Sequence, residues 1–328
     1  YFNWVTDILE ALHVAEQPDK TALIWTDMDS GDSCRFTYRQ MIAQANQLVN
    51  FFQASGIEKG NNFYLMSPVL PENWFAAIAC IKAGIVSVPT PTSMTRRELE
   101  YRFETYTPDV IMADEASADL IDQALDQVDV TPKVKLVLGQ KEGWISYSRV
   151  AEESADAGGV KIRADDILFC FFTSGTTGLP KRVGHTAITY PVGHLSTTVM
   201  LGVRPDDIHN NLSATGWAKW AWSSFFAPLN VGATIVGLKA ASLDPEQYLD
   251  ALSKHRVTTF CAHPTAWRRF SGMNLDTFDL SSMRQSLSAG EPLNSTIHEK
   301  WAARTGVKIR EFYGQTESTA MIGNPPWA

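Results

Sequence analysis

Ile167-Leu168-Phe169-Cys170-Phe171-Phe172 runs directly into Thr173-Ser174-Gly175-Thr176-Thr177-Gly178-Leu179-Pro180-Lys181. An apolar run of six residues that opens into hydroxyls, glycines and one lysine reads as a buried strand feeding a phosphate-wrapping loop. Glycine lets the backbone approach a ligand and present its N–H groups, Ser and Thr add hydroxyl donors, and Lys adds a mobile positive charge. The loop comes close to a Walker A motif and fails it. Gly175 and Lys181 keep the spacing, but Pro180 stands where the second glycine belongs and Arg182 where the metal-binding Ser or Thr belongs. A P-loop kinase is therefore disfavoured.

Outward from this loop, the pattern alternates strands and helices. Towards the N-terminus, short strands at 21–26 and 34–37 precede a capping box at Thr37 and Gln40. A helix then places Tyr38, Met41, Ile42, Ala45, Leu48, Val49 and Phe52 on one face. A strand at 62–66 leads to a helix from Pro71 to Gly84. The strand 86–88, helix 95–106, strand 110–113, helix 117–128 and strand 134–138 follow. The polar, glycine-bearing stretch 151–165 reads as a link between two lobes, 1–160 and 161–328. Beyond the loop come a helix from about 186, a helix capped by Asp244-Pro245, a strand at 257–261 and a helix with Trp267 and Phe270. A strand at 285–288, a helix at 295–305 and a strand at 308–312 complete the second lobe. This order predicts an α/β fold of two largely parallel sheets flanked by helices.

The chain has 328 residues, 45% hydrophobic and 20% charged, as in an ordinary globular protein. Its net charge of -8 argues against a nucleic-acid partner, and means that an anionic substrate needs local positive charge such as Lys181-Arg182. The four cysteines are far apart, and Cys80 and Cys170 sit in apolar runs, which suits buried thiols in a reducing, cytoplasmic setting. No apolar stretch reaches the length of a membrane span. The chain begins with Tyr1, so an upstream segment, even a mitochondrial leader, is compatible with it. Among the seven histidines no metal spacing is present; His185 reads as packing or capping, and His263 as a residue that could line a site at a strand end.

Other strings also follow strands. In Glu311-Phe312-Tyr313-Gly314-Gln315-Thr316-Glu317, Tyr313 offers a ring face for a base and Thr316 a hydroxyl for a phosphate or carboxylate. Glu317 offers a hard oxygen ligand for Mg²⁺. Ser288-Ala289-Gly290-Glu291-Pro292-Leu293-Asn294 reads as a helix-entry turn capped by Asn294 or Ser295. Thr215-Gly216-Trp217-Ala218-Lys219-Trp220-Ala221-Trp222-Ser223 holds three tryptophans that would ordinarily be core.

The nonapeptide 173–181 resembles the signature loop of the adenylate-forming superfamily of acyl-CoA synthetases, luciferases and peptide-synthetase adenylation domains. The string 313–317 resembles its Tyr-Gly-x-Thr-Glu motif. Gly290-Glu291-Pro292, Thr215-Gly216-Trp217 and Pro264-Thr265-Ala266-Trp267-Arg268-Arg269-Phe270 resemble the medium-chain acyl-CoA synthetase branch, and the likeness runs from Phe2-Asn3-Trp4 to Thr316-Glu317. The resemblance implies an enzyme that joins a short- or medium-chain carboxylic acid to CoA through an acyl-adenylate, releasing AMP and pyrophosphate. ATP and CoA are its cosubstrates and Mg²⁺ its metal. It implies that Thr173, Ser174, Gly175, Thr176, Thr177, Gly178 and Lys181 grip the ATP phosphates and that Thr316 serves the α-phosphate. Glu317 would hold Mg²⁺, and Tyr313 with Gly290, Glu291 and Pro292 the adenine, in a nucleotide site that includes Glu311, Gly314 and Gln315. Lys181, Thr316 and Glu317 would carry catalysis. Trp217 would border the acyl site, and Gly314, where acetyl-CoA synthetases carry Trp, would leave its floor open for longer chains. The family is longer than this chain, so the resemblance implies a large part of an N-terminal domain that makes little product alone. Transfer to a carrier protein, or a non-catalytic nucleotide- or acyl-binding role, are the alternatives.

Overall fold

The computed structural model describes residues 1–173 and 180–327. After a helical segment at Val5–Val14, the hairpin β1 (Thr21–Asp27) and β2 (Ser33–Thr37) leads into α1 (Tyr38–Ala54) and β3 (Asn62–Met66). Then come α2 (Pro71–Ala83), β4 (Val86–Pro89), α3 (Arg96–Thr105), β5 (Val110–Asp114), α4 (Glu115–Val128), β6 (Val134–Leu138) and β7 (Ile145–Ser146). The chain continues with β8 (Ile167–Thr173), β9 (Lys181–Thr186), α5 (His194–Leu201), β10 (Ile208–Asn211) and a π-helical turn at Trp220–Phe226. The turn runs into α6 (Ala227–Asn230). It ends with β11 (Thr234–Lys239), α7 (Pro245–Lys254), β12 (Thr259–Ala262), α8 (Pro264–Phe270), β13 (Gln285–Ser288), α9 (Ser295–Thr305), β14 (Ile309–Gly314) and β15 (Ala320–Gly323).

The chain divides into two compact units. The first comprises 1–19, 38–189 and 214–218; the second comprises 20–37, 190–213 and 219–328. This differs from a linear split at 160/161, because strand pairing ignores the polar stretch. β8 joins β4 in the first sheet, and β1 joins β11 in the second.

The first unit holds a seven-stranded sheet in the order β7-β6-β5-β3-β4-β8-β9, parallel except for the antiparallel β9 at its edge. α2 is buried nearly all round, as its continuous apolar sequence requires. Pro71 starts it and Gly84, at φ 69°, ends it in the left-handed conformation that a side chain disfavours. α3 begins at Thr95, whose side chain accepts from the Glu98 N–H while Glu98 reaches back to the Thr95 N–H.

The second unit holds an eight-stranded sheet in the order β15-β14-β13-β12-β10-β11-β1-β2. Its inner strands are parallel, and antiparallel β2 and β15 close the two edges. One face packs on aromatic residues of α7, α8 and α9: Tyr248, Trp267, Phe270 and Trp301 surround Phe260 of β12 or one another. Trp267 Nε1–H donates to the Leu287 carbonyl at 3.0 Å and Trp301 Nε1–H to Ser286 Oγ at 3.0 Å, so each buried indole has a partner for its polar atom. No helix among the described residues is long and apolar enough to cross a membrane.

Candidate active site

In the first unit, the apolar run becomes β8 and the lysine end of the nonapeptide becomes the start of β9, with Thr173 opposite Lys181 in antiparallel register. Ser174, Gly175, Thr176, Thr177 and Gly178 lie outside the described residues. The stem that carries the loop is held by α3. Tyr101 Oη–H donates to the Pro180 carbonyl at 3.0 Å, and Arg182 Nη1 donates to the Thr105 carbonyl at 3.1 Å. The Arg182 guanidinium also lies 5.0 Å from the Tyr106 ring centre, and that of Arg102 lies 4.6 Å from the Phe172 ring centre. Arg182 is thus spent on the helix beside the loop, while Lys181 is exposed. Arg102 is buried and its Nη1 donates to Thr90 Oγ1 at 3.5 Å, and burial draws its pKa down to about 10. His185 is buried with its ring edge-on to Phe171, the packing role read from the sequence.

Also in the first unit, Thr215 Oγ1 donates to the Ser67 carbonyl at 2.7 Å. A Cβ on Gly216 would lie 2.2 Å from Pro91 N and 2.5 Å from the Thr90 carbonyl carbon, so only glycine fits there. Trp217, by contrast, is 58% exposed and presents its indole to solvent or ligand.

The second unit brings together the strings at 288–294 and 311–317. β13 and β14 are neighbours with Ser288 opposite Glu311, and Glu311 Oε1 accepts from the Leu293 N–H at 2.8 Å. Gly290 has φ 122°, outside the range of L side chains, which turns the backbone away from β13. Glu291 pairs with Arg268 at 3.2 Å on the surface. Tyr313, near the end of β14, is 50% exposed. Gln315 and Thr316 sit with Glu317 in the hairpin loop to β15, pinned by Ser318: its Oγ accepts from the Gln315 N–H at 3.0 Å. Glu317 is exposed and pairs with no described residue, so its carboxylate is available to a hard cation.

Gly314 is occupied from in front. A Cβ there would lie 2.7 and 2.8 Å from Cη2 and Cζ3 of Trp222, and 2.4 Å from the Thr319 carbonyl oxygen. Trp222 is buried, and its Nε1–H donates to Tyr190 Oη at 2.9 Å. The volume that a side chain at 314 would take is therefore held by the benzo edge of Trp222, and the openness expected of glycine at this point depends on that indole.

Two features escaped the sequence reading. Lys219 has its Nζ enclosed, facing the Cys261 thiol, and burial lowers its pKa. Its signal was a lone charge among tryptophans. His209 is fully buried between Thr259 Oγ1 and Ser223 Oγ, and a histidine inside a strand gives no sign of that. His263 caps α8 through Nδ1, which accepts from the Ala266 N–H at 3.3 Å; burial, then the nearby Lys219, lowers its pKa.

Two parallel-rich sheets, one with the nonapeptide falling between its antiparallel strands β8 and β9 and the other with a Tyr-Gly-x-Thr-Glu hairpin at its edge, define an adenylate-forming architecture. The AMP-binding enzyme family matches residues 11–328, and the chain belongs to that family. It is 45% identical over 327 residues to 4-hydroxybutyrate–CoA ligase 1 of Metallosphaera sedula, covering 99% of this chain and 57% of that protein. It is 30% identical over 332 residues to the mitochondrial acyl-coenzyme A synthetase ACSM3 of Homo sapiens, covering 99% and 56%. The chain thus spans a little over half the length of these relatives. Among solved structures, the anthranilate CoA ligase AuaEII in complex with anthranoyl-AMP superposes with a TM-score of 0.92 at 26% identity, covering 99% of this chain and 62% of that one.

Proposed function

We propose that the intact protein is an AMP-forming acid–CoA ligase acting on a short- or medium-chain carboxylic acid. The observation that carries this reading lies within the second unit: on the β14–β15 hairpin Glu317 is exposed and pairs with no described residue, close in sequence to the half-exposed ring of Tyr313. Lys181 and the loop residues from Thr173 to Gly178 would hold the ATP phosphates, Thr316 would serve the α-phosphate, and Glu317 would hold Mg²⁺. Bound there, the metal supplies charge neutralisation for the pyrophosphate. Tyr313 and the 290–292 backbone would flank the adenine, with Glu311 fixing the second to the first. Glu311, Gly314 and Gln315 complete that nucleotide-facing stretch.

The acid's carboxylate would attack the α-phosphorus and expel pyrophosphate, and the CoA thiol would then displace AMP. A carboxylate is a weak nucleophile and needs no proton removed, so alignment and charge neutralisation are the protein's contribution. Trp217 and the Trp222–Gly314 wall would shape the acyl site. The name of the 45% identical relative makes a four-carbon hydroxy acid a candidate substrate alongside plain fatty acids. The test is acid-dependent exchange of labelled pyrophosphate into ATP by the intact protein, followed by CoA-dependent AMP release. Exchange without CoA dependence would favour a carrier-protein acceptor. Absence of exchange with any acid would leave only a binding role.

A further inference from the structure

The turn that carries Trp217 is fixed at three points within the first unit. The Trp217 N–H donates to the Ala214 carbonyl at 3.3 Å, which closes a β-turn with Thr215 and Gly216 at its centre. Thr215 is buried and its hydroxyl donates to the Ser67 carbonyl at 2.7 Å. Gly216 lies so close to the backbone of Thr90 and Pro91 that no side chain fits between. The loop that offers the Ser67 carbonyl is itself tied down. Ser67 Oγ–H donates to Asn73 Oδ1 at 2.7 Å, and Asn73 Nδ2–H donates to the Pro68 carbonyl at 2.6 Å. Asn73 is wholly buried in the first turn of α2, a helix whose other buried residues are mostly apolar. Its amide therefore has a partner at each end, as a buried polar group requires.

This relay of buried hydrogen bonds ends beside an uncovered indole. Thr215, Gly216 and Ala218 are buried, whereas Trp217 between them is more than half exposed. A backbone held so closely while its largest apolar side chain stays in solvent forgoes the burial of that side chain, and presents it in a fixed place. We propose that Asn73, Ser67 and Thr215 are positioning residues for the Trp217 indole and so set the enzyme's preference for the length of the acid. They act through the backbone of the 214–217 turn. An indole wall that stays in place rewards each methylene that packs on it, and one that yields discriminates less. The inference rests on the acid–CoA ligase reading and on Trp217 bordering the acyl site.

The experiment measures kcat/KM for octanoate and butyrate, and the KM for ATP, in the intact protein and its variants. Trp217→Ala removes the wall and calibrates the readout; it should change the octanoate/butyrate ratio roughly 10-fold or more. Thr215→Val exchanges the hydroxyl for a methyl group, and Asn73→Leu removes the amide. Each should move the ratio in the same direction, roughly threefold to tenfold, the worth of one or two hydrogen bonds, with the KM for ATP unaltered. Thr215→Ser keeps the hydroxyl and should keep the wild-type ratio. Melting temperature identifies a variant that fails to fold; Ser67→Ala, which deletes a single hydroxyl, then takes the place of Asn73→Leu. A network that only supports the fold would lower the melting temperature and depress both acids alike, and that unchanged ratio overturns the proposal. If no acid supports pyrophosphate exchange, or if Trp217→Ala leaves the ratio where it was, the underlying reading fails first and this inference with it. A ratio that responds to Trp217→Ala but not to Thr215→Val sinks the positioning role alone.

Discussion

Glu317 stands in solvent on the β14–β15 hairpin with no described residue competing for its carboxylate. Replacing it with glutamine preserves the shape and removes the charge that a divalent cation requires. Glu317→Gln should therefore lower Mg²⁺-dependent pyrophosphate exchange by roughly 10²–10³-fold, with the melting curve unchanged. Retention of most of the exchange would remove Glu317 from the metal site. Gly314 illustrates the opposite case, a residue defined by what crowds it. The Trp222 ring edge and the Thr319 carbonyl leave no room for even one methyl. Gly314→Ala should cost about 1–3 kcal/mol in denaturant unfolding, the usual price of overpacking. Combining it with Trp222→Ala should show coupling but incomplete relief, because the carbonyl of Thr319 remains. Full additivity of the two changes would mean that the indole and Gly314 do not share a wall.

At the scale of elements, α3 bears on the stem of the proposed phosphate loop. Its C-terminal turn and the residue beyond grip both sides of the β8–β9 stem: Arg102 against Phe172 before the loop, Tyr101 on Pro180 and Arg182 on Thr105 and Tyr106 after it. Tyr101→Phe removes one hydrogen bond and nothing else. It should raise the KM for ATP about threefold to tenfold with kcat and melting temperature little altered. A change in Tm with no change in KM would make the contact merely structural. The helix itself was legible at 95–106, as were α1, α2, α4, α9 and the strands β3, β4, β5, β6 and β8, whose apolar residues form periodic or continuous runs. β9 was not, since Lys181-Arg182-Val183-Gly184-His185-Thr186 has neither alternation nor an apolar run, and only pairing with β8 makes it a strand. β10, with His209-Asn210-Asn211 buried by side-chain hydrogen bonds, was hidden for the same reason. In the proposed site, the exposure of Tyr313 and Glu317 could be read, because both stand at or just past the end of a strand. The enclosure of Lys219 Nζ could not, because it comes from residues distant in sequence.

At the scale of the molecule, each unit carries its own sheet and core, and the second concentrates histidines whose environment favours the neutral ring. His209 is the deepest. Thr259 Oγ1 at 2.8 Å and Ser223 Oγ at 3.0 Å satisfy both ring nitrogens, since each hydroxyl can donate or accept, so the neutral ring needs nothing more. Burial opposes the charged form and outweighs the attraction of Asp207, drawing the pKa from 6.5 down to about 4. The unfolded chain therefore binds a proton more readily than the folded one across this interval. The stability that His209 contributes is complete above about pH 6.5, declines as the pH falls, and is exhausted below about pH 4; the drop is about 3 kcal/mol. Burial lowers His255 and His263 as well, so they add to the loss with the same sign. His209→Gln keeps hydrogen-bonding capacity and cannot titrate. Urea unfolding at several pH values from 7 to 4 should show wild type losing stability more steeply than His209→Gln, with the two curves drawing together as the pH falls. Parallel curves would mean that His209 takes up its proton without cost in the fold, and that the acid sensitivity of this unit lies in its carboxylates.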